Sequence, residues 1–200
     1  MRSTIYIWDP ASNSGNGEYL TWNGVTGTLP TGGLIAPFQG FWVKANAEDP
    51  ELKVNLDAKT TGGGFLRKEA GKIVADSSKA KNNDFDIKRI GLAVTSSEGL
   101  SKRTNIMFSE NGEINKDNLD AFRLLPLSTS HIELHSLLDD GTELAINNLP
   151  NDFNSRLFIP LHINAYEDGM PLSGEFTILW DDLRTIPEDW ILTLIDNETG

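Results

Sequence analysis

The chain contains no cysteine. Disulfides, thiolate metal sites and a cysteine nucleophile are therefore excluded, while the compartment stays open. Basic residues are scarce: 17 Lys and Arg stand against 29 Asp and Glu, a net charge of −12. That balance opposes binding to the phosphates of DNA or RNA and to an anionic membrane surface. No apolar run approaches the roughly 20 residues that span a bilayer, so no membrane insertion is expected. An export signal is not visible either, because a strand is predicted from Thr4 onward. There is no G-x-S-x-G, no Walker loop and no complete G-x-G-x-x-G. Helical spacing is missing from every window long enough for three turns, and no repeat of fixed period is found.

What is present is turn chemistry between short alternating segments. Eighteen glycines and abundant Asn and Asp suit many tight turns. The stretch 34–45 follows Gly32-Gly33, breaks at Pro37, pivots on Gly40 and enters a predicted strand. Phe41, Val43 and Ala45 share one of its faces, and Trp42, Lys44 and Asn46 share the other. Residues 4–8 and 18–22 read as a hairpin with a long loop. A short strand at 52–56 and a Gly-rich linker at 57–64 follow, dividing an N-terminal segment (1–60) from a sandwich (65–200).

Further strands are predicted from about residue 86 to 94, then at 105–109, 121–125, 131–138, 143–146, 156–165, 175–180 and 190–195. The shift of apolar phase between Ile87 and Ile90 predicts a bulge at Lys88-Arg89. Asp139-Asp140-Gly141 is a hairpin signal, Pro160 marks an edge strand or a bulge, and residues 181–184 suit one helical turn capped by Asp181. About a dozen strands at near-regular spacing predict an all-β, antiparallel, jelly-roll-like β-sandwich with almost no helix.

Three constellations invite chemistry. His131, Glu133 and His135 share one face of a predicted strand, where neighbours two apart can chelate a metal ion. The zinc-protease pattern needs Glu directly after the first His, on a helix, and this segment meets neither condition. The preferred reading is the solvated face of a half-buried strand, with Ile132 and Leu134 turned inward. Asn82, Asn83, Asp84 and Asp86 form one oxygen-rich loop, Asp139, Asp140 and Glu143 a second, and Asp181 with Asp182 a third. Hard oxygens in loops suit a structural calcium ion; Asx turns account for the same residues. Trp8, Tyr19, Trp22 and Trp42 are candidates for stacking on a sugar ring, with core packing the preferred reading of the tryptophans. A glycosidase would need two carboxylates facing each other across a cleft at about 5–10 Å, which acidity alone does not locate. No catalytic residue is assigned, and calcium is the one cofactor considered.

Several passages together resemble a known group. Ile5-Tyr6-Ile7-Trp8-Asp9 and Ile35-Ala36-Pro37-Phe38-Gln39-Gly40-Phe41-Trp42-Val43-Lys44-Ala45 resemble the pattern "tIYIYD … I-x-P-x-Q-G-F-F-V-K-A". It recurs in very large secreted proteins of bacteria that use type IX secretion. Asn118-Leu119-Asp120-Ala121-Phe122-Arg123-Leu124 resembles that group's "D-A-x-K-L" strand entry. Residues 143–150 and 192–200 are similar to its later strands, in the same order. Trp42 stands where the group more often has Phe. The resemblance implies a non-catalytic β-rich module lying upstream of a C-terminal sorting domain, excised from a longer chain.

The expected function is thus a non-catalytic β-sandwich module of a secreted or cell-surface, adhesin-like protein. Its partners would be neighbouring modules of the parent chain. The alternative is a carbohydrate-binding module of a secreted glycan-degrading enzyme, with polysaccharide or surface glycan as partner. A β-sandwich glycoside hydrolase or polysaccharide lyase is a third reading.

Overall fold

The computed structural model describes residues 4–45, 48–59, 87–153 and 156–197. The N-terminal hairpin forms where alternation places it. β1 (Ile5–Asp9) pairs antiparallel with β2 (Glu18–Trp22), Ile7 opposite Leu20. Ile7, Leu20 and Leu29 make a small core, with Ile5, Trp22 and Ile35 against it. The long connecting loop ends at Gly17, whose φ of +78° and missing side chain admit the Trp8 indole; a Cβ there would lie 2.3 Å from the ring.

The remaining strands are β3 (Lys88–Ser96), β4 (Ser101–Ser109), β5 (Ala121–Phe122), β6 (His131–Leu137), β7 (Glu143–Pro150), β8 (Leu161–Glu167), β9 (Met170–Pro171) and β10 (Phe176–Asp182). They form one sheet in the order β10-β3-β4-β7-β6-β8-β9, with β5 beside β7. Every pairing is antiparallel except β4 with β7. β7 meets β6 only at Glu143 and Leu144, then runs beside β4 from Ile146 to Pro150. The sheet therefore curls at β7 into two leaves. Ile90, Leu92, Val94, Ile106 and Phe108 of β3 and β4 pack with Ile132, Leu134 and Ala165 of β6 and β8. Each of the larger side chains contributes about 1.5–3 kcal/mol on burial. The fold is all-β and sandwich-like, with two short 3-10 turns as the only helical pieces among the described residues.

A second apolar cluster lies on the other face of β4. Met107, Ala121 and Ile146 are fully buried there, and Val25, Ile87 and Leu119 pack onto them. Polar contacts fasten the N-terminal segment to the sheet beside this cluster. Buried Asn23 donates from Nδ2 to the Leu119 carbonyl at 2.6 Å, while its Oδ1 accepts from the Val25 and Thr26 amides at 3.0 and 2.8 Å. Asn13 Oδ1 accepts from the Ser101 amide and hydroxyl at 2.8 and 3.1 Å. Arg89 donates to Thr26 Oγ1 at 3.1 Å. Lys44 places its ammonium 3.3 Å from the centre of the Phe122 ring, a cation–π contact.

The differences from the sequence reading have local causes. No bulge occurs at Lys88-Arg89: β3 pairs with β4 in unbroken register from Lys88. Ile87, just ahead of β3, and Ile90 within it belong to the clusters on opposite faces, as odd and even positions of one extended run do. The bulge lies in β10, between Trp180 and Asp182, opposite Gly91. Residues 41–45 form no strand. Trp42 makes a single bridge to Tyr6, with Tyr6 N donating to Trp42 O at 3.0 Å and Trp42 N to Tyr6 O at 2.8 Å. Phe38, at φ +66°, kinks the approach. At 52–56 there is no strand either; Leu52, Val54 and Leu56 are exposed, without a partner strand among the described residues. β8 begins only after Pro160, which lacks an amide for the ladder and accepts from Leu137 N at 3.0 Å instead. The predicted turn at 181–184 is an Asx turn, Asp182 Oδ1 accepting from Arg184 N at 3.2 Å, because β10 continues to Asp182. The linker at 57–64 falls mostly outside the described residues.

Asn23→Ala is expected to cost about 3 kcal/mol, since it strands a buried amide, a part-buried amide and a carbonyl at once. Urea unfolding followed by tryptophan fluorescence checks this. A loss below 1 kcal/mol would show that the N-terminal segment is not held by this residue.

Candidate functional site

The alternation of β6 sends Ile132 and Leu134 into the core and His131, Glu133 and His135 to the opposite face. The antiparallel register with β8 then sets His162 across from His135, Asn164 across from Glu133 and Tyr166 across from His131. The His135 and His162 rings lie 4.9 Å apart, and His131 stacks on Tyr166 at 5.0 Å. Arg123 follows β5, and its amide donates to the Glu143 carbonyl at 3.0 Å. That backbone contact carries its guanidinium over the same face.

Arg123 is the hub. One guanidinium nitrogen pairs with Glu133 Oε1, and the other donates to Glu143 Oε2 at 2.6 Å. His131 Nε2 lies 3.5 Å from Glu133 Oε1, His162 Nε2 3.4 Å from Glu133 Oε2, and His135 Nε2 3.7 Å from Glu143 Oε1. The Arg123 and Glu133 side chains are only 11% and 10% exposed. His135 is 1% exposed, and neither ring nitrogen has a hydrogen-bond partner. This face is therefore not the solvated one read from the sequence. The segment after β5 covers it, and that packing is set by tertiary contacts.

Burial, and after it the Arg123 guanidinium, push the His135 pKa down to about 4; His162 adds to the lowering, and the Glu143 and Glu133 carboxylates oppose it without prevailing. The Glu143 carboxyl is held below its ordinary range, chiefly by its hydrogen bond from Arg123. Chemically the site is an arginine neutralising two carboxylates, ringed by imidazoles. The guanidinium already stands between the acids, where a cation would have to sit. Among the described residues no group of three or more His, Asp or Glu is arranged to hold a metal ion. A crevice reaches the cluster past Glu18, Tyr19, Lys102 and Pro126, and its volume of about 20 Å³ admits roughly one water.

The sugar-platform residues are placed differently from what a flat stacking surface requires. Tyr19 is buried, Trp8 and Trp22 are half-buried, and Trp42 is 46% exposed. Trp8 meets Tyr19 at 70° and Tyr19 meets Trp42 at 88°, both edge to face. Trp22 sits against Gly33, where a Cβ would lie 2.4 Å from its Nε1. The aromatics are thus packed on the hairpin and on each other, with Trp42 presenting one ring to the surface.

Of the oxygen-rich loops, Asp84 and Asp86 lie outside the described residues. The second loop is dispersed. Asp140 Oδ1 accepts from Thr142 N at 2.9 Å, Asp139 is exposed, and Glu143 turns to Arg123. In the third, Asp182 pairs with Arg89 and Arg184, and Asp181 lies 3.3 Å from Arg103. Carboxylates that the sequence reading passed over, Asp117 and Asp120, fold their own loop. Asp120 accepts from the Asn148 and Asp117 amides at 2.7 Å each, and Asp117 accepts from Asn148 Nδ2 at 2.6 Å. The reading also missed Arg123 and His162 as members of the histidine cluster. His162 was visible as an alternating position of β8; Arg123 carried no local signal.

Comparison with family models, with curated proteins and with solved structures finds no match to this chain.

His135 should make stability fall with acid in a defined window. Its folded pKa of about 4 lies below the ordinary 6.5. The neutral ring's contribution is therefore complete above pH 6.5 and is lost as pH falls toward 4, because the unfolded chain takes up the proton first. Between pH 7 and pH 5 the wild type should lose about 2 kcal/mol by this linkage. His135→Gln should flatten that slope, as read by urea unfolding at the two pH values. An unchanged slope in the variant would refute the assignment. Arg123→Met should cost about 3–5 kcal/mol at neutral pH, because it takes the guanidinium from a carboxylate in a nearly closed site. Thermal unfolding measures it, and a loss under 1 kcal/mol would mean that the acids are solvated.

Proposed function

We propose that this chain is a non-catalytic β-sandwich module of a large secreted or cell-surface protein, serving adhesion or scaffolding beside neighbouring modules. One observation carries the reading. Its most developed polar cluster spends Arg123 on Glu133 and Glu143 in a space that admits about one water. Acid–base catalysis needs a carboxylate or imidazole within reach of a substrate atom; here the acids answer an internal cation. The resemblance of residues 5–9 and 35–45 to modules exported by type IX secretion supports the setting at the cell surface. Among the described residues no helix is long and apolar enough to cross a membrane.

A carbohydrate-binding role is the second reading, and the half-exposed Trp42 ring is what favours it. Removing that ring should then weaken retention of the protein on an immobilised polysaccharide column by tenfold or more. Under the scaffolding reading, Trp42→Ala leaves retention unchanged and the purified chain releases no reducing sugar or peptide product above a blank. Turnover that Glu133→Gln abolishes would overturn the proposal.

A further inference from the structure

Residues 190–195 alternate as a strand does, yet they belong to no sheet. Trp190 is fixed on the core, its ring 4.9 Å from Phe108 and 5.0 Å from Phe153, and Leu192 packs beside it. From Ile191 to Asp196 the chain runs without a turn or a bend. Residues 191–195 make no hydrogen bond to any described residue. Several of their side chains are apolar and bare: Ile191 is 93%, Leu194 45% and Ile195 56% exposed. From Ile191 to Ile195 the amides and carbonyls thus have no partner among the described residues, next to a finished core. A run of unpaired backbone beside a core can take up an added strand, in which main-chain hydrogen bonds give affinity and alternate side chains give selectivity.

Charge decides what kind of strand it takes. Glu188 and Asp189 precede the segment, both exposed and without an ion pair among the described residues. A second copy would bring these acids toward the same acids of its partner, and each copy carries a net charge of −12. Like charges facing each other across an edge oppose pairing. We infer that residues 190–195 are a docking edge for an extended β-strand of another polypeptide segment, apolar on alternate positions and flanked by Lys or Arg. The inference rests on the unpaired segment and not on the role proposed above, so either can fail alone.

The test uses two synthetic ten-residue peptides. Both alternate Thr and Val over six central positions; one has a pair of lysines at each end and the other a pair of glutamates. Fluorescence titration with the full chain should show the lysine-flanked peptide binding at least tenfold more tightly. Its affinity should fall about tenfold between 50 and 500 mM salt as the end charges are screened. Thr193→Pro, which removes a central amide from the edge, should weaken binding at least tenfold at unchanged far-ultraviolet circular dichroism. The pair Glu188→Lys and Asp189→Lys, both exposed and away from the core, should reverse the preference between the peptides. Equal binding of both peptides, no binding of either, or an unreversed preference would overturn the inference. So would a salt-resistant dimer in analytical ultracentrifugation, which would assign the edge to a second copy.

Discussion

The structure depends on β7 being claimed from two sides. Its first residues close a hairpin with β6, and its last run parallel to β4. A strand shared in this way cannot lie flat in both pairings, so the sheet must curl, and curling is what closes Ile132 and Leu134 over Ile106 and Phe108. The parallel step also decides which side chains face outward. Asn148, beside Met107, meets the Asp117–Asp120 loop, and Glu143, at the other end of β7, meets Arg123.

Charge is distributed with the same economy. With 17 basic residues for 29 acidic ones, cations are the limiting resource. Several of them are placed where acids are least solvated. Arg123 serves Glu133 and Glu143, Arg89 serves Asp182 from the strand next door, and Lys102 lies 3.5 Å from Glu18. Acids in the exposed turns, such as Glu188 and Asp189, are left to water. A net charge of −12 opposes the close approach of a second copy at low salt.

Much of the fold was legible because its signal is local. The β1–β2 hairpin, the Asp139-Asp140-Gly141 turn and the inward set Ile132 and Leu134 follow from alternation and turn residues. Strands at 41–45, 52–56 and 190–195 were misread for one reason: alternation records that a segment could be half-buried, not that a neighbour exists to pair with it. The supposed bulge at Lys88-Arg89 failed differently. Ile87 and Ile90 each have an apolar cluster to enter, one on either face of the same extended run, and a single sequence does not announce that both faces are covered.

The sequence by itself determined the period of each strand, the places where turns interrupt it, and the net charge of −12. Those are properties of neighbours along the chain, carried by side-chain spacing and backbone freedom. Only the tertiary structure decided that His131, Glu133 and His135 are roofed rather than wet, and that Asp139, Asp140 and Glu143 part company. Both outcomes turn on Arg123. Its guanidinium reaches Glu133 ten positions away and Glu143 twenty positions away because β5 lies along β7 and β7 along β6. Such contacts are fixed by pairing across the sheet, and pairing is a relation between distant segments that no local pattern contains.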